Sequence, residues 1–208
     1  MTDAANLREN FYSRKLYAFL RSAGIQHEEI TGFNLHCLQN HLLTLGNWWD
    51  TSDEQQADGI GQQIIDIAAS SDRVNLHATN HQRPSISIRH PISGESGTVD
   101  PLPSIPDIGR IPEDIRNEAD AQKVFWWFWR FYPELWLNTQ DETLSDGLLY
   151  PAHRVLPDCP LHSHQATVSA LTGSLFPNGW QKEEQPSHPY LLIFTFSPIQ
   201  DFIKASRK

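Results

Sequence analysis

Residues 124–136 carry Phe125, Trp126, Trp127, Phe128, Trp129, Phe131, Tyr132 and Trp136, the densest run of rings in the sequence. At helical spacing Val124, Trp127, Phe128 and Phe131 share one face, while Phe125, Trp126 and Trp129 cover the others. A helix that is apolar all round must be buried or covered by a partner, so the remaining chain has to supply layers around it. The sequence predicts this helix over 113–131, with Pro112 suited to its first turn. Rings can also stack bases, as in single-strand binders, but Lys123 at its border and Arg130 are the only basic residues of the block, so no electropositive groove is evident. Core packing or a subunit contact is the expected role.

The covering layers are predicted to be helices. Phe11, Leu16, Phe19 and Leu20 fall mainly at spacings of three and four over 10–24, with Gly24 as the stop. Residues 35–49 place Leu35, Leu38, Leu42 and Leu45 on one face of a second helix. Thr51 and Glu54 have capping-box spacing and open a third, over 52–71, with Ile60, Ile64, Ile67 and Ala68 in register. Residues 161–175 form a further helix through Val168, Leu171 and Leu175. Between 85 and 103 the period changes: Ile86, Ile88 and Val99 alternate with polar residues around Ser93-Gly-Glu-Ser-Gly97, which predicts an irregular hairpin. With 208 residues there is room for one ordinary domain, or one domain plus a fragment.

Charge and cysteine usage narrow the function classes. The formal charge of −9 argues against a stand-alone nucleic-acid binder, which normally presents a basic face to phosphates. Two cysteines, Cys37 and Cys159, make no multi-bridge scaffold and no Cys-x-x-Cys pair, so a reducing cytoplasm is the expected compartment. Residues 1–9 lack the apolar core of a signal peptide. No run approaches the ~20 apolar residues of a membrane span, and no membrane partner is expected. Gly59-Ile-Gly61 fails the dinucleotide fingerprint because Ile64 stands at the third glycine position. His77 and His81 have helical ligand spacing but lack the accompanying glutamate, and they read as solvated loop residues.

Residues 178–189 are polar, with Gly and Pro, and read as a linker. After them Tyr190-Leu-Leu-Ile-Phe-Thr-Phe196 is strand-like and apolar on both faces, a pattern stable only inside a sheet covered on both sides. Ser197 and Pro198 then supply an N-cap and first-turn proline for a helix beginning at Ile199. The sequence ends at Lys208, leaving too few residues to build that sheet, and the expectation is that the chain is the front part of a longer protein.

The string from Tyr190 to Lys208, together with Lys15-Leu-Tyr-Ala-Phe-Leu20, Arg89-His-Pro-Ile-Ser-Gly94 and the stretch from Pro157 to Gly173, resembles in order the N-terminal region of the Cas-ten large subunit of type III CRISPR effector complexes, in its Cmr, or type III-B, branch. The resemblance implies an N-terminal helical domain related to His-Asp metal-dependent phosphohydrolases, followed by the first strand and helix of a ferredoxin-like palm. Complete family members bind ATP and divalent metal and make cyclic oligoadenylates through a Gly-Gly-Asp-Asp motif, which this sequence lacks. Where active relatives carry Leu-His-Asp-Pro-Pro, this chain reads Leu20-Arg-Ser-Ala-Gly24; where they read Pro-Asp-His-Ser-Ile-Trp-Asp-His, it reads Pro157-Asp-Cys-Pro-Leu-His-Ser-His164. Neither Arg nor Ser replaces the imidazole and carboxylate that hold a metal and activate its water.

These readings give an expected fold of α+β class, mostly α: a degenerate His-Asp-type helical domain over 1–177 with an irregular hairpin, a linker over 178–189, and the opening of an incomplete palm over 190–208. The expected function is a structural or partner-binding role in a type III-B antiviral complex, without catalysis by this chain and with no cofactor of its own. The expected partners are the other subunits, with guide and target RNA contacted indirectly. The alternative is a metal-dependent phosphohydrolase acting on single-stranded nucleic acid. Candidate metal ligands are Asp58, Asp158 and His164, with Cys159 and His162 nearby, and the candidate nucleotide-binding turn is Ser197, Pro198, Ile199 and Gln200. For each set the competing reading is structural, as capping, ion-paired or helix-entry residues.

Overall fold

The first helix, α1 (Thr2–Ser22), begins well before its apolar period does. Its opening turns hold Ala4, Ala5, Leu7, Arg8 and Glu9, good helix formers without an apolar face. A computed structural model provides the structure and describes residues 2–50, 59–68, 86–89, 92–99, 108–137 and 160–176. The exit of α1 satisfies its free carbonyls in turn. Gly24 takes φ +87°; its N–H donates to the Arg21 carbonyl at 2.9 Å, and that of Ile25 to Leu20 at 3.4 Å. This is a Schellman cap, sealed by the buried side chains of Leu20 and Ile25. Gly24 is the stop that the sequence predicts.

Helix α2 (His27–Gly32) has no counterpart in the sequence reading, because a six-residue helix with one buried apolar residue, Ile30, shows no measurable period. Its start is held by Glu29, whose carboxylate accepts the Gln26 N–H at 2.7 Å. Asn34 at φ +51° ends this region, a conformation Asn tolerates better than most residues. The helix expected over 35–49 is broken into a 3-10 turn (His36–Leu38) and α3 (Leu42–Trp49). The break buries Leu35, Cys37 and Leu38 from the turn and Leu45, Trp48 and Trp49 from α3; packing overrides local propensity here. Helix α4 (Ile60–Ala68) keeps the expected register at Ile64, but Ile67 is 52 % exposed rather than on the core face. The capping pair Thr51 and Glu54 lies outside the described residues.

Strands β1 (Ile86–Arg89) and β2 (Ser96–Val99) pair antiparallel, with Ile86 opposite Val99 and Arg89 opposite Ser96. The intervening turn uses Gly94 at φ +73° and is held by Arg89 Nε donating to the Gly94 carbonyl at 3.2 Å. The expected hairpin is therefore present.

The single helix expected over 113–131 is two: α5 (Glu113–Asn117) and α6 (Ala121–Leu137). Asp120 divides them, accepting the Gln122 N–H at 2.9 Å as the N-cap of α6. Helix α6 continues beyond the expected end through Pro133, which lacks the N–H that would bond the Trp129 carbonyl. Helix α7 (Leu161–Leu175) has the bounds read from the sequence.

Helix α1 is the central element, packed chiefly on α7 and α6, with α4 reaching α7 and α3. Its contact with α7 is antiparallel and in step. A Cβ on Gly173 would lie 2.9 Å from the Phe11 ring, Ser169 Oγ donates to the Lys15 carbonyl at 3.1 Å, and Gln165 Nε2 donates to the Phe19 carbonyl at 3.1 Å. Each contact lies four residues further along α1 and four back along α7. On the other side, Phe33 stacks on Phe128 at 6.5 Å, and Phe128 meets Tyr132 at 4.8 Å. The chain is α-rich, and among the described residues no helix is long and apolar enough to cross a membrane. The linker and palm segment, 178–208, fall outside the described residues.

Candidate functional site

The Schellman turn that ends α1 places Arg21 at the mouth of a cleft of about 360 Å³ lined by Arg21, Gln26, Trp49, Asp50, Gly59, Gln62 and Ile65. The guanidinium is held on three sides. Nη2 meets Asp50 Oδ1 at 2.6 Å, and Nη1 donates to Gln26 Oε1 at 2.9 Å and to the Ile25 carbonyl at 3.4 Å. Arg21 Nε is buried with no acceptor among the described residues. Behind this group Tyr17, fully buried, pairs its hydroxyl with His27 Nδ1 at 2.8 Å. Burial holds the Tyr17 phenol well above its ordinary pKa, opposed by the nearby Arg21 charge. Gly46 leaves room for the His27 ring, since a Cβ there would stand 2.9 Å from it.

The resemblance drawn from the sequence would call for histidine and aspartate at positions 21 and 22, where this chain carries Arg21 and Ser22. A guanidinium donates hydrogen bonds and ligates no metal, and Ser22 turns its Oγ back to the Phe19 carbonyl at 3.0 Å. The cleft thus holds a charge-neutral Arg–Asp pair, with Trp49 also in its lining, an arrangement fit to shape a polar surface.

The other candidate residues are dispersed. His164 is 5 % exposed in the first turn of α7, its N–H bonded to the Pro160 carbonyl at 3.0 Å, while His162 is half-buried. Two residues apart on a helix, these imidazoles point about 200° apart around the axis. Asp58, Asp158 and Cys159 lie outside the described residues, as do His77, His81 and the turn Ser197, Pro198, Ile199 and Gln200. Among the described residues no group of three or more His, Cys, Asp or Glu side chains could hold a metal ion.

A second feature is the outer surface of α6. Val124, Phe125, Phe128 and Tyr132 are buried, yet Trp126, Trp129 and Phe131 are 45 %, 43 % and 48 % exposed. Trp126 and Trp129 meet edge to face at 5.6 Å on one flank; Phe131, with Arg130 5.5 Å above its ring, lies on the other. Between the flanks run Lys123, paired with Glu118 at 3.1 Å, and Arg130, paired with Glu134 at 2.6 Å. The fold also brings in residues from α1 that sequence order cannot show: Arg8 donates to Gln122 Oε1, and Gln122 Nε2 donates to the Tyr12 hydroxyl at 3.0 Å.

No protein-family model, curated protein or solved structure matches this chain. The site is accordingly described by its own chemistry. Of its residues, the sequence reading singled out Arg21 only as a replaced ligand and missed Asp50 and Trp49 as its neighbours. No local signal marks that pairing, since Asp50 is 29 residues away in sequence.

Proposed function

We propose that this chain is the helical N-terminal part of a type III-B CRISPR effector large subunit, contributing partner contacts to an antiviral ribonucleoprotein rather than catalysis. The resemblance over four ordered segments supplies the family. The observation that carries the role is the aromatic surface of α6: three large rings, each more than two-fifths exposed, on a helix whose opposite face already fills the core. Exposed rings interspersed with charge are the composition of protein interfaces. Arg21, at a position where the resemblance would call for a metal ligand and ion-paired instead with Asp50, supports a role without hydrolysis.

The test is co-expression of tagged chain with the remaining type III-B subunits and guide RNA from the same locus, followed by affinity purification. The expected result is recovery of the subunits with the chain, reduced at least about tenfold by Trp126→Ser with Trp129→Ser, the size of a single lost hot spot. Failure to recover any subunit would overturn the reading. Divalent-metal-stimulated cleavage of single-stranded nucleic acid, abolished by His164→Ala, would establish the phosphohydrolase alternative instead.

A further inference from the structure

The cations along the outer side of α6 are matched one by one. Lys123 meets Glu118 at 3.1 Å, Arg130 meets Glu134 at 2.6 Å, and Arg8 of α1 bonds Gln122. Lys15 breaks the pattern: its ammonium has neither a carboxylate nor a hydrogen-bond acceptor among the described residues. The residue is half-buried. Burial draws its pKa below the ordinary lysine range, as for an ammonium that has lost water without gaining an anion.

The surroundings of Lys15 nonetheless suit a cation. Its Nζ lies 4.7 Å from the Phe125 ring centre, 5.4 Å from Phe11, 5.8 Å from Tyr12 and 6.0 Å from Trp126, and ring faces attract positive charge. On α7, Gly173 leaves room for the stem: a Cβ there would stand 3.1 Å from Lys15 Cδ. Phe125 is buried, but Trp126 is 45 % exposed and meets Trp129 edge to face at 5.6 Å. The collar thus shares Trp126 with the exposed rings of α6, and an unmatched ammonium is held at their edge.

We infer that this surface takes its protein partner by an acidic side chain, whose carboxylate accepts hydrogen bonds from the Lys15 ammonium while apolar neighbours pack on Trp126 and Trp129. The carboxylate supplies what the rings lack, acceptors for the N–H donors, in a charge-assisted bond beside an apolar contact. An RNA phosphate carries the same charge, but a polyanionic backbone would meet Glu118 and Glu134 on this face and a chain of formal charge −9. Lys123 and Arg130 are already paired, so few cations remain to replace its counterions. One carboxylate on an otherwise apolar segment avoids that cost. The inference rests on the reading of α6 as the partner surface and adds the chemistry that the partner brings to it.

The complex of tagged full-length chain with type III-B subunits and guide RNA is treated with a water-soluble carbodiimide, which joins an amine to a carboxylate in contact with it. Cross-linked peptides are then identified by mass spectrometry. The expected product is an amide between Lys15 and an aspartate or glutamate of another subunit. Lys15→Met, which keeps the stem and removes the charge, should lower recovery of that subunit about fivefold or more; Lys15→Arg, which keeps a cation, should retain most of it. Recovery that falls with Trp126→Ser and Trp129→Ser but not with Lys15→Met, with no Lys15 cross-link in the unmodified sequence, overturns this inference and leaves the partner surface standing. An ultraviolet cross-link between RNA and the peptide holding Lys15 overturns it in favour of phosphate. Failure to recover any subunit overturns the reading of α6 and this inference with it.

Discussion

Gln165 donates its side-chain N–H to the carbonyl of Phe19 at 3.1 Å across the α1–α7 interface, both residues being buried. The same oxygen accepts Ser22 Oγ at 3.0 Å, so a carbonyl left free at the end of α1 is satisfied from within its helix and from a helix 146 residues away. Gln165→Leu keeps the volume and removes the donor. It should cost about 1–2 kcal/mol, read as a shift in urea midpoint; an unchanged midpoint would show that the contact contributes nothing to docking α7.

Gly61 faces Trp49, and a Cβ there would stand 2.2 Å from the indole. That ring is 3 % exposed and wedged between Trp48 and Tyr17, so it has little freedom to retreat. Gly61→Ala gains about 1 kcal/mol of helix propensity, yet overpacking should outweigh it and leave the variant about 1–3 kcal/mol less stable. A stabilised variant would exclude this packing.

Burial pushes the Cys37 thiol up to about 12. The folded chain then holds this proton more tightly than the unfolded chain, so the contribution to stability is complete below about pH 8.5 and is lost as pH rises toward 12. By pH 10.5 the loss from Cys37 should be about 2–3 kcal/mol. The phenols of Tyr17 and Tyr132, also raised chiefly by burial, add to it above about pH 10. Urea melts at pH 7.5 and 10.5 should show the decline, and Cys37→Ala should flatten its first part; parallel slopes for the two proteins would contradict the assignment.

Asp50 is half exposed, so its pair with Arg21 is partly screened by water. A double-mutant cycle with Arg21→Ala and Asp50→Ala should return a coupling below about 1 kcal/mol. Arg21→Ala alone should cost more, because the bonds to Gln26 and to the Ile25 carbonyl go with it. A coupling of several kcal/mol would mean that the cleft is far drier than its geometry indicates.

The two sides of α6 should separate cleanly by stability. Trp126→Ser with Trp129→Ser removes half-exposed rings and should change unfolding free energy by about 1 kcal/mol or less. Phe128→Ala, at 0 % exposure, should cost about 3–5 kcal/mol. Equal losses would show that the outer rings belong to the core after all.

Where an interaction is local, the residues themselves dictate the structure. The bounds of α7, the stop at Gly24 and the hairpin around Gly94 follow from periodicity, backbone freedom and turn chemistry within a few residues of each feature. The breaks at 39–41 and 118–120 do not, although Asp120 is a capping residue in plain view, because apolar residues on either side keep a helical spacing straight through them. Only packing of Cys37, Trp48 and Trp49 into one core shows that a continuous helix would leave some of them outside.

The same division holds for the candidate sites. The ring density of α6 is a property of the sequence. Which rings are buried, that Arg21 meets Asp50, and that Lys15 lies among Phe11, Tyr12, Phe125 and Trp126 were decided by the tertiary structure. Burial and pairing between distant segments depend on how helices cross, and that geometry is set by the whole core acting together.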